Sequence, residues 1–329
     1  MNTDLFNPFD TFSFNDDTCF LSGKKLIKDD VNWVSTFPEW LLDRYQLREN
    51  YILMLGGNRL QYKELRMPAC SEVAQAIVNL DEITQRAFEN GYEEMMKLPD
   101  LILFQLMARI FYGVLYEDYK QAFIEHEEKG QKFEVAPTLI QKFKNLHLML
   151  QSLIRKVEFI DFIPWTIKRY SIDISKDIFN YKDEIQHLNF CLSLNYFGVT
   201  ACLQDNGEVG KHEADILQKI ENKTLHPAQF EELYGRFLYT NYLLRDIPDY
   251  LIREESNTIT LRLPENAFGS LPKYAPWKDE IFAQVLTNMW NPWGIPLEMV
   301  HRYPNSPISY LISERTGEFI PHDQITLDR

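Results

Sequence analysis

Metal donors are nearly missing from the first third of this 329-residue chain. Cys19 and Cys70 are the only cysteines there, and no histidine precedes His126. A structural zinc site takes about four Cys or His donors, so the region is two short. Cysteine is scarce throughout: Cys19, Cys70, Cys191 and Cys202 are the whole complement, and they lie far apart. A chain of this length builds a core without disulfides, which favours reduced thiols and a cytoplasmic location. Met1 to Phe14 has neither the basic start nor the continuous apolar stretch of a secretion signal, in keeping with that expectation. Apolar runs of about 18 residues are absent, so no membrane-spanning helix is expected. Glycine is limited to 13 residues, too few for long flexible linkers. Positive charge is also in deficit, with 34 Lys+Arg against 48 Asp+Glu and a net charge of −14. Residues 1–75 carry 8 basic and 11 acidic residues, so they share that sign. Non-specific nucleic-acid affinity comes from Lys and Arg neutralising phosphates, and this balance disfavours a nucleic-acid partner. GxSxG, Walker A, Rossmann-glycine and HExxH patterns do not occur, which removes several common sequence routes to an enzyme.

The chain is rich in aromatic and aliphatic residues. With 22 Phe, 17 Tyr and 45% hydrophobic residues, it can bury a sizeable core. Phe6, Phe9, Phe12 and Phe14 mark residues 1–18 as an extended arm that docks on the body or on a partner. Pro38 to Tyr45 reads as a short helix. Tyr51–Leu55 and Arg59–Tyr62 flank Gly56-Gly57-Asn58 as a hairpin. Ser71 is placed to cap a helix that runs to Asn90. Residues 100–129 and a segment from Pro137 carry helical stripes, the first through Leu103, Met107, Ile110 and Val114. From Val157 the period becomes two. Strands are expected at 157–159 and 166–172, with 188–194 and 198–203 paired as an antiparallel hairpin. Asp205-Asn206-Gly207 is a turn. Helices at about 211–221 and 227–245, a hairpin of 250–253 with 258–263, a helix at 279–290 and a turn at Arg315-Thr316-Gly317 complete the pattern. The expected architecture is α+β. A small unit over 19–95 packs on a body over 96–329 that combines helices with antiparallel β-hairpins.

Two half-motifs stand out in the N-terminal region. Cys19-Phe20-Leu21-Ser22 begins like a Cys-x-x-Cys knuckle but ends in Ser22. Cys70-Ser71-Glu72-Val73 begins like a second but ends in Val73. Between them lies Phe37-Pro38-Glu39-Trp40-Leu41. In this order the segments resemble bacterial HNH-endonuclease-like treble-clef proteins. Their pattern is Cys-x-x-Cys, Glu-His-Val-Phe-Pro-x-Trp-Leu, a hairpin, and Pro-Cys-x-x-Cys-Asn opening a helix. The match is close over roughly the first 90 residues. The resemblance implies a treble clef and, in an intact family member, a metal-dependent nuclease. This chain departs at the positions that carry the chemistry. Val34 and Ser35 stand where Glu and the catalytic His belong, and Val73 and Ala74 replace a Cys and an Asn. Ser35 has no useful basicity near neutral pH, whereas an HNH nuclease needs a His general base and a metal ion. The packing residues Phe37, Pro38, Trp40, Leu41 and Tyr45 are kept. The resemblance therefore implies a scaffold without bound zinc, without a cofactor and without nuclease activity, which works by binding a protein partner.

Two alternatives remain open. A hydrolase or nuclease with a relocated active site would draw on His126, His147 or His226 with nearby carboxylates. Residual nucleic-acid binding without cleavage would use Lys24, Lys25, Lys28, Arg59, Lys63 and Arg66. Trp290-Asn291-Pro292-Trp293-Gly294 is an aromatic turn, either a buried corner or a partner patch through Trp290 and Trp293. His147 lies beside the apolar stripe of Leu146 and Leu150, where a hydrogen-bonded core histidine is the ordinary case. His212-Glu213 at a helix start reads as a solvated helix end.

Overall fold

The computed structural model describes residues 5–11, 13–27, 31–130, 135–173, 179–245, 249–255, 257–265, 272–302 and 304–327. The elements begin with α1 (Pro8–Thr11), β1 (Asn32–Ser35), α2 (Glu39–Arg44), β2 (Tyr51–Leu53), β3 (Arg59–Gln61) and β4 (Arg66–Ala69). The helices α3 (Ser71–Glu89), α4 (Tyr92–Met96), α5 (Asp100–Glu128) and α6 (Pro137–Leu150) follow. Next come β5 (Lys156–Ile160), β6 (Thr166–Ile172), β7 (Phe179–Glu184), β8 (Asn189–Leu194) and β9 (Phe197–Cys202). The remainder is α7 (Glu208–His212), α8 (Ala214–Lys219), β10 (Thr224–Leu225), α9 (Pro227–Leu243), β11 (Leu251–Glu255), β12 (Thr258–Arg262), α10 (Asp279–Met289) and α11 (Leu297–Val300). The fold is α+β, a helical body with small, mainly antiparallel sheets. No helix is long and apolar enough to cross a membrane among the described residues.

The chain divides into two compact units, each assembled from separated segments. The first comprises 1–90, 97–161 and 249–264. Its centre is α5, which packs against α3, α6 and β4. Burial of Leu103, Phe104, Met107, Ile110, Phe111 and Leu115 on α5 supplies the apolar area that drives this packing. Gly113 permits a close approach of Thr36 to α5, because a Cβ there would collide with the Thr36 side chain. The described part of residues 1–18, expected as an extended arm, includes the helical turn α1 and carries Phe9 and Phe14 into the core. Phe9 packs edge-on to Tyr119 at 5.5 Å and Phe14 to Tyr116 at 5.4 Å, the geometry favoured by aromatic quadrupoles. Phe12 lies outside the described residues. β1 pairs antiparallel with β4, and β2 with β3. The expected hairpin β11–β12 is present, and β12 also pairs in parallel with β5, about a hundred residues away in the chain.

The second unit comprises 91–96, 162–248 and 265–329. Its sheet runs β10-β6-β9-β8-β7 and contains the expected β8–β9 hairpin. Every residue of β8 and β9 is buried. α9 covers this sheet, with Phe230, Leu233 and Tyr234 against Tyr170, Ile172 and Cys191. Gly198 leaves the room that the Phe230 ring occupies. The Asp205-Asn206-Gly207 turn forms as expected, with Gly207 at φ +73°. Asp205 accepts hydrogen bonds from Thr166 Oγ1 (2.6 Å) and the Val209 N–H (2.8 Å). Burial raises its carboxyl to about 6 against these bonds.

Candidate functional site

The two half-motifs meet in the first unit. Cys19 opens a tight turn: its N–H donates to the Lys24 carbonyl, and its own carbonyl accepts from the Gly23 N–H. An isolated antiparallel bridge between Thr18 and Lys25 closes the turn. The Phe20 N–H donates to the Pro68 carbonyl on β4, which brings the turn to the start of α3. Cys70 is the N-cap residue of α3 and Ser71 the first helical residue, so Ser71 is not the cap that its position suggested. Cys70 Sγ lies 3.6 Å from Ser22 Oγ, and the Cys19 thiol and the Val73 N–H are near enough to act on its charge. Burial pushes the Cys70 thiol up. The Val73 N–H, the Ser22 hydroxyl, the Cys19 thiol and the Lys24 ammonium together outweigh it, and the net direction is down. Lys24 is held beside the site by Glu72 at 2.7 Å.

Cys19, Ser22, Cys70 and Val73 thus gather around one point. They do not fit a four-coordinate zinc ion. Val73 offers no donor atom and is fully buried, Ser22 offers a neutral hydroxyl, and two thiols remain. Among the described residues no group of three or more His, Cys, Asp or Glu is placed to hold a metal ion.

Ser35, the position of the expected catalytic histidine, ends β1 and is 6% exposed. Its Oγ is buried without a hydrogen-bond partner. Its carbonyl accepts from Arg109 Nε (3.1 Å) and Nη2 (2.6 Å). Arg109 is 1% exposed and also pairs through Nη1 with Asp81 on α3. Burial pushes the Asp81 carboxyl up despite this partner. The position is therefore sealed by a buried guanidinium. Sequence reasoning missed Arg109 and Asp81, although Arg109 is the one charge in the run from Leu101 to Tyr116.

The three candidate histidines are engaged in separate tasks. His147 is completely buried and its Nε2 lies 2.9 Å from the Phe20 carbonyl. It therefore braces the turn that carries Cys19. Burial lowers its pKa to about 4 from 6.5, against the opposing pull of the Phe20 carbonyl and Asp10. A histidine with a depressed folded-state pKa is neutral in the native state and takes up a proton on unfolding. Its stabilising contribution is complete above about pH 6.5 and is lost as pH falls towards 4. The expected loss is about 3 kcal/mol at about 1.4 kcal/mol per pH unit. Urea unfolding between pH 7 and pH 4 checks this: His147→Gln should flatten the slope, and an unchanged slope would rule His147 out as its source.

His226 caps α9. Its Nδ1 accepts from the Ala228 N–H at 3.1 Å, and its Nε2 lies 3.1 Å from the Leu327 carbonyl. His126 sits near the end of α5, with Nδ1 2.7 Å from the Ala122 carbonyl. It shares a cavity of about 330 Å3 with Asp118 and Glu125. His212-Glu213 departs from the solvated reading. Glu213 is buried and accepts from Thr240 Oγ1 at 2.6 Å, beside His212 Nδ1 at 3.1 Å.

Of the basic candidates, Lys24 pairs with Glu72, Lys25 with Asp17 and Lys63 with Glu49. Arg66 Nε donates to the Lys63 carbonyl, and Arg59 lies on the exposed edge of β3. Lys28 lies outside the described residues. The partner patch needs correcting. Trp290 is fully buried, donates from Nε1 to the Ala228 carbonyl at 2.9 Å and meets Tyr310 edge-on, so it is a core anchor. Trp293 is half-buried beside the His226 ring.

Comparison with protein-family models, with curated proteins and with solved structures found no match for this chain.

Proposed function

We propose that this protein is a non-catalytic binding or scaffold protein, derived from a bacterial HNH-type treble-clef ancestor and working in the cytoplasm on a protein partner. The convergence of Cys19, Ser22, Cys70 and Val73 carries the reading. Four positions that would each hold a zinc donor meet at one turn and one helix start, and two of them hold Ser22 and Val73. The buried Ser35 under Arg109 adds to it, because a general base must reach a water and a substrate. The pairing of Lys24, Lys25 and Lys63 with carboxylates favours a protein over a nucleic acid.

Purified full-length protein is incubated with supercoiled DNA, linear DNA and RNA in Mg2+, Mn2+, Ni2+ or Zn2+. The expected result is no cleavage above buffer, and no retention of nucleic acid at low salt. Metal-dependent cleavage that co-purifies with the protein would overturn the reading and restore the relocated active site. Binding that weakens with added salt would restore the nucleic-acid alternative.

A further inference from the structure

We propose that Cys70 and Cys19 are a redox-active thiol pair, which a hydroperoxide converts to a reversible disulfide with Cys70 attacked first and Cys19 resolving. The turn that carries Cys19 is seated on the start of α3, with Ser22 Oγ 3.6 Å from Cys70 Sγ and the Phe20 N–H donating to the Pro68 carbonyl, and both thiols are reduced. They differ in access: Cys70 is half-buried at the start of α3, whereas Cys19 is fully enclosed. That asymmetry sets the order, because a small oxidant reaches Cys70 and only Cys70 reaches Cys19. The surroundings suit an attacking sulfur, with the Ser22 hydroxyl 3.6 Å away and the Lys24 ammonium alongside. Cys191 and Cys202 provide the contrast. Both are completely buried in the second unit, and burial pushes both thiols well up.

The chemistry balances with a hydroperoxide as the oxidant. The Cys70 thiolate attacks one peroxide oxygen, the O–O bond breaks, and hydroxide or alkoxide leaves. Cys70 is then a sulfenic acid. The Cys19 sulfur displaces that oxygen as water and forms the S–S bond. Two thiols are oxidised by two electrons in total, and the hydroperoxide is reduced to water and an alcohol, or to two waters. The chain must bring the two sulfurs to the about 2.05 Å of a disulfide. This inference needs only that the Cys19 turn lies against Cys70 and does not rest on the treble-clef reading.

The test treats the intact full-length protein with hydrogen peroxide and maps its cysteines by mass spectrometry. Support is a Cys19–Cys70 linked peptide, a fall of two from the four free thiols, and recovery with dithiothreitol. Cys191 and Cys202 should react at least about tenfold more slowly than Cys70, as enclosed thiols do. In Cys19→Ser the oxidation should stop at a sulfenic acid on Cys70 that dimedone traps. Should the buried variant fail to fold, peptide mapping of the unaltered chain decides alone. No Cys19–Cys70 peptide after oxidation, whether the thiols stay free or Cys70 goes on to sulfinic acid, overturns the proposal.

Discussion

The double variant S22C/V73C takes up about one equivalent of zinc, and the unaltered protein takes up less than about a tenth. Tetrahedral coordination with Zn–S bonds of about 2.3 Å places neighbouring sulfurs about 3.8 Å apart. Ser22 Oγ and Cys70 Sγ already lie 3.6 Å apart, so a sulfur at position 22 begins near the required edge length. Val73 sits in the first turn of α3, three residues after the N-cap Cys70. Exchanging its isopropyl group for a thiol removes about one methylene of volume from a fully buried site, a cost of about 1 kcal/mol without metal. Zinc offsets that cost, since a ligand at a thousandfold excess over its dissociation constant stabilises by about 4 kcal/mol. Elemental analysis and urea unfolding with and without a chelator provide the readouts. A double variant that stays free of zinc would mean that the four positions do not form a site, and the ancestral reading would lose its main support. Zinc near one equivalent in the unaltered protein would point to donors beyond Cys19 and Cys70.

Arg109→Ala destabilises the protein by about 3–5 kcal/mol, the usual cost of removing one partner from a buried ion pair. Arg109 donates twice to the Ser35 carbonyl and pairs with Asp81. Its removal leaves a carboxylate whose burial already opposes ionisation, and it opens a cavity within the α3–α5 packing. Arg109→Met retains most of the volume and, combined with Asp81→Asn, removes the stranded charge. That double variant should recover at least about 1 kcal/mol relative to Arg109→Ala, since it restores volume and removes the charge without satisfying the Ser35 carbonyl. Equilibrium urea unfolding of the two variants checks the pair. A loss under about 1 kcal/mol for Arg109→Ala would show that the guanidinium is solvated in solution. The Ser35 position would then be open rather than sealed.

These two sites show where the chain was readable. Cys19, Ser22, Cys70 and Val73 were legible as a set because a knuckle is local: the identity of each position follows from spacing within four residues. Arg109 and Asp81 were not, because their roles depend on where α5 passes β1, and no periodicity in either segment encodes that crossing. The same limit explains Trp290. Its turn was visible in the Asn-Pro-Trp-Gly that follows it, but its burial comes from Ala228 and Tyr310, elements distant in the chain. Glu232 is a further case. Its exposure would be expected on a helix surface, yet it is fully buried, accepting from Arg236, Ser309 Oγ and the N–H groups of Tyr310 and Leu311. A buried carboxylate is tolerable only when such donors surround it, and all of these but Arg236 arrive from another segment.

The amino-acid sequence by itself determined the α+β class, the positions of the long helices, the β2–β3, β8–β9 and β11–β12 hairpins, and the absence of a Cys or His at positions 22 and 73. Each of these is set by local periodicity or by the chemistry of a single side chain. Tertiary structure alone decided the parallel pairing of β12 with β5, the seating of the Cys19 turn against Cys70, the enclosure of His147 and the sealing of Ser35 by Arg109. Those features join residues far apart in the chain. Their energies come from apolar burial and from satisfying buried polar groups, and both depend on which distant surfaces meet.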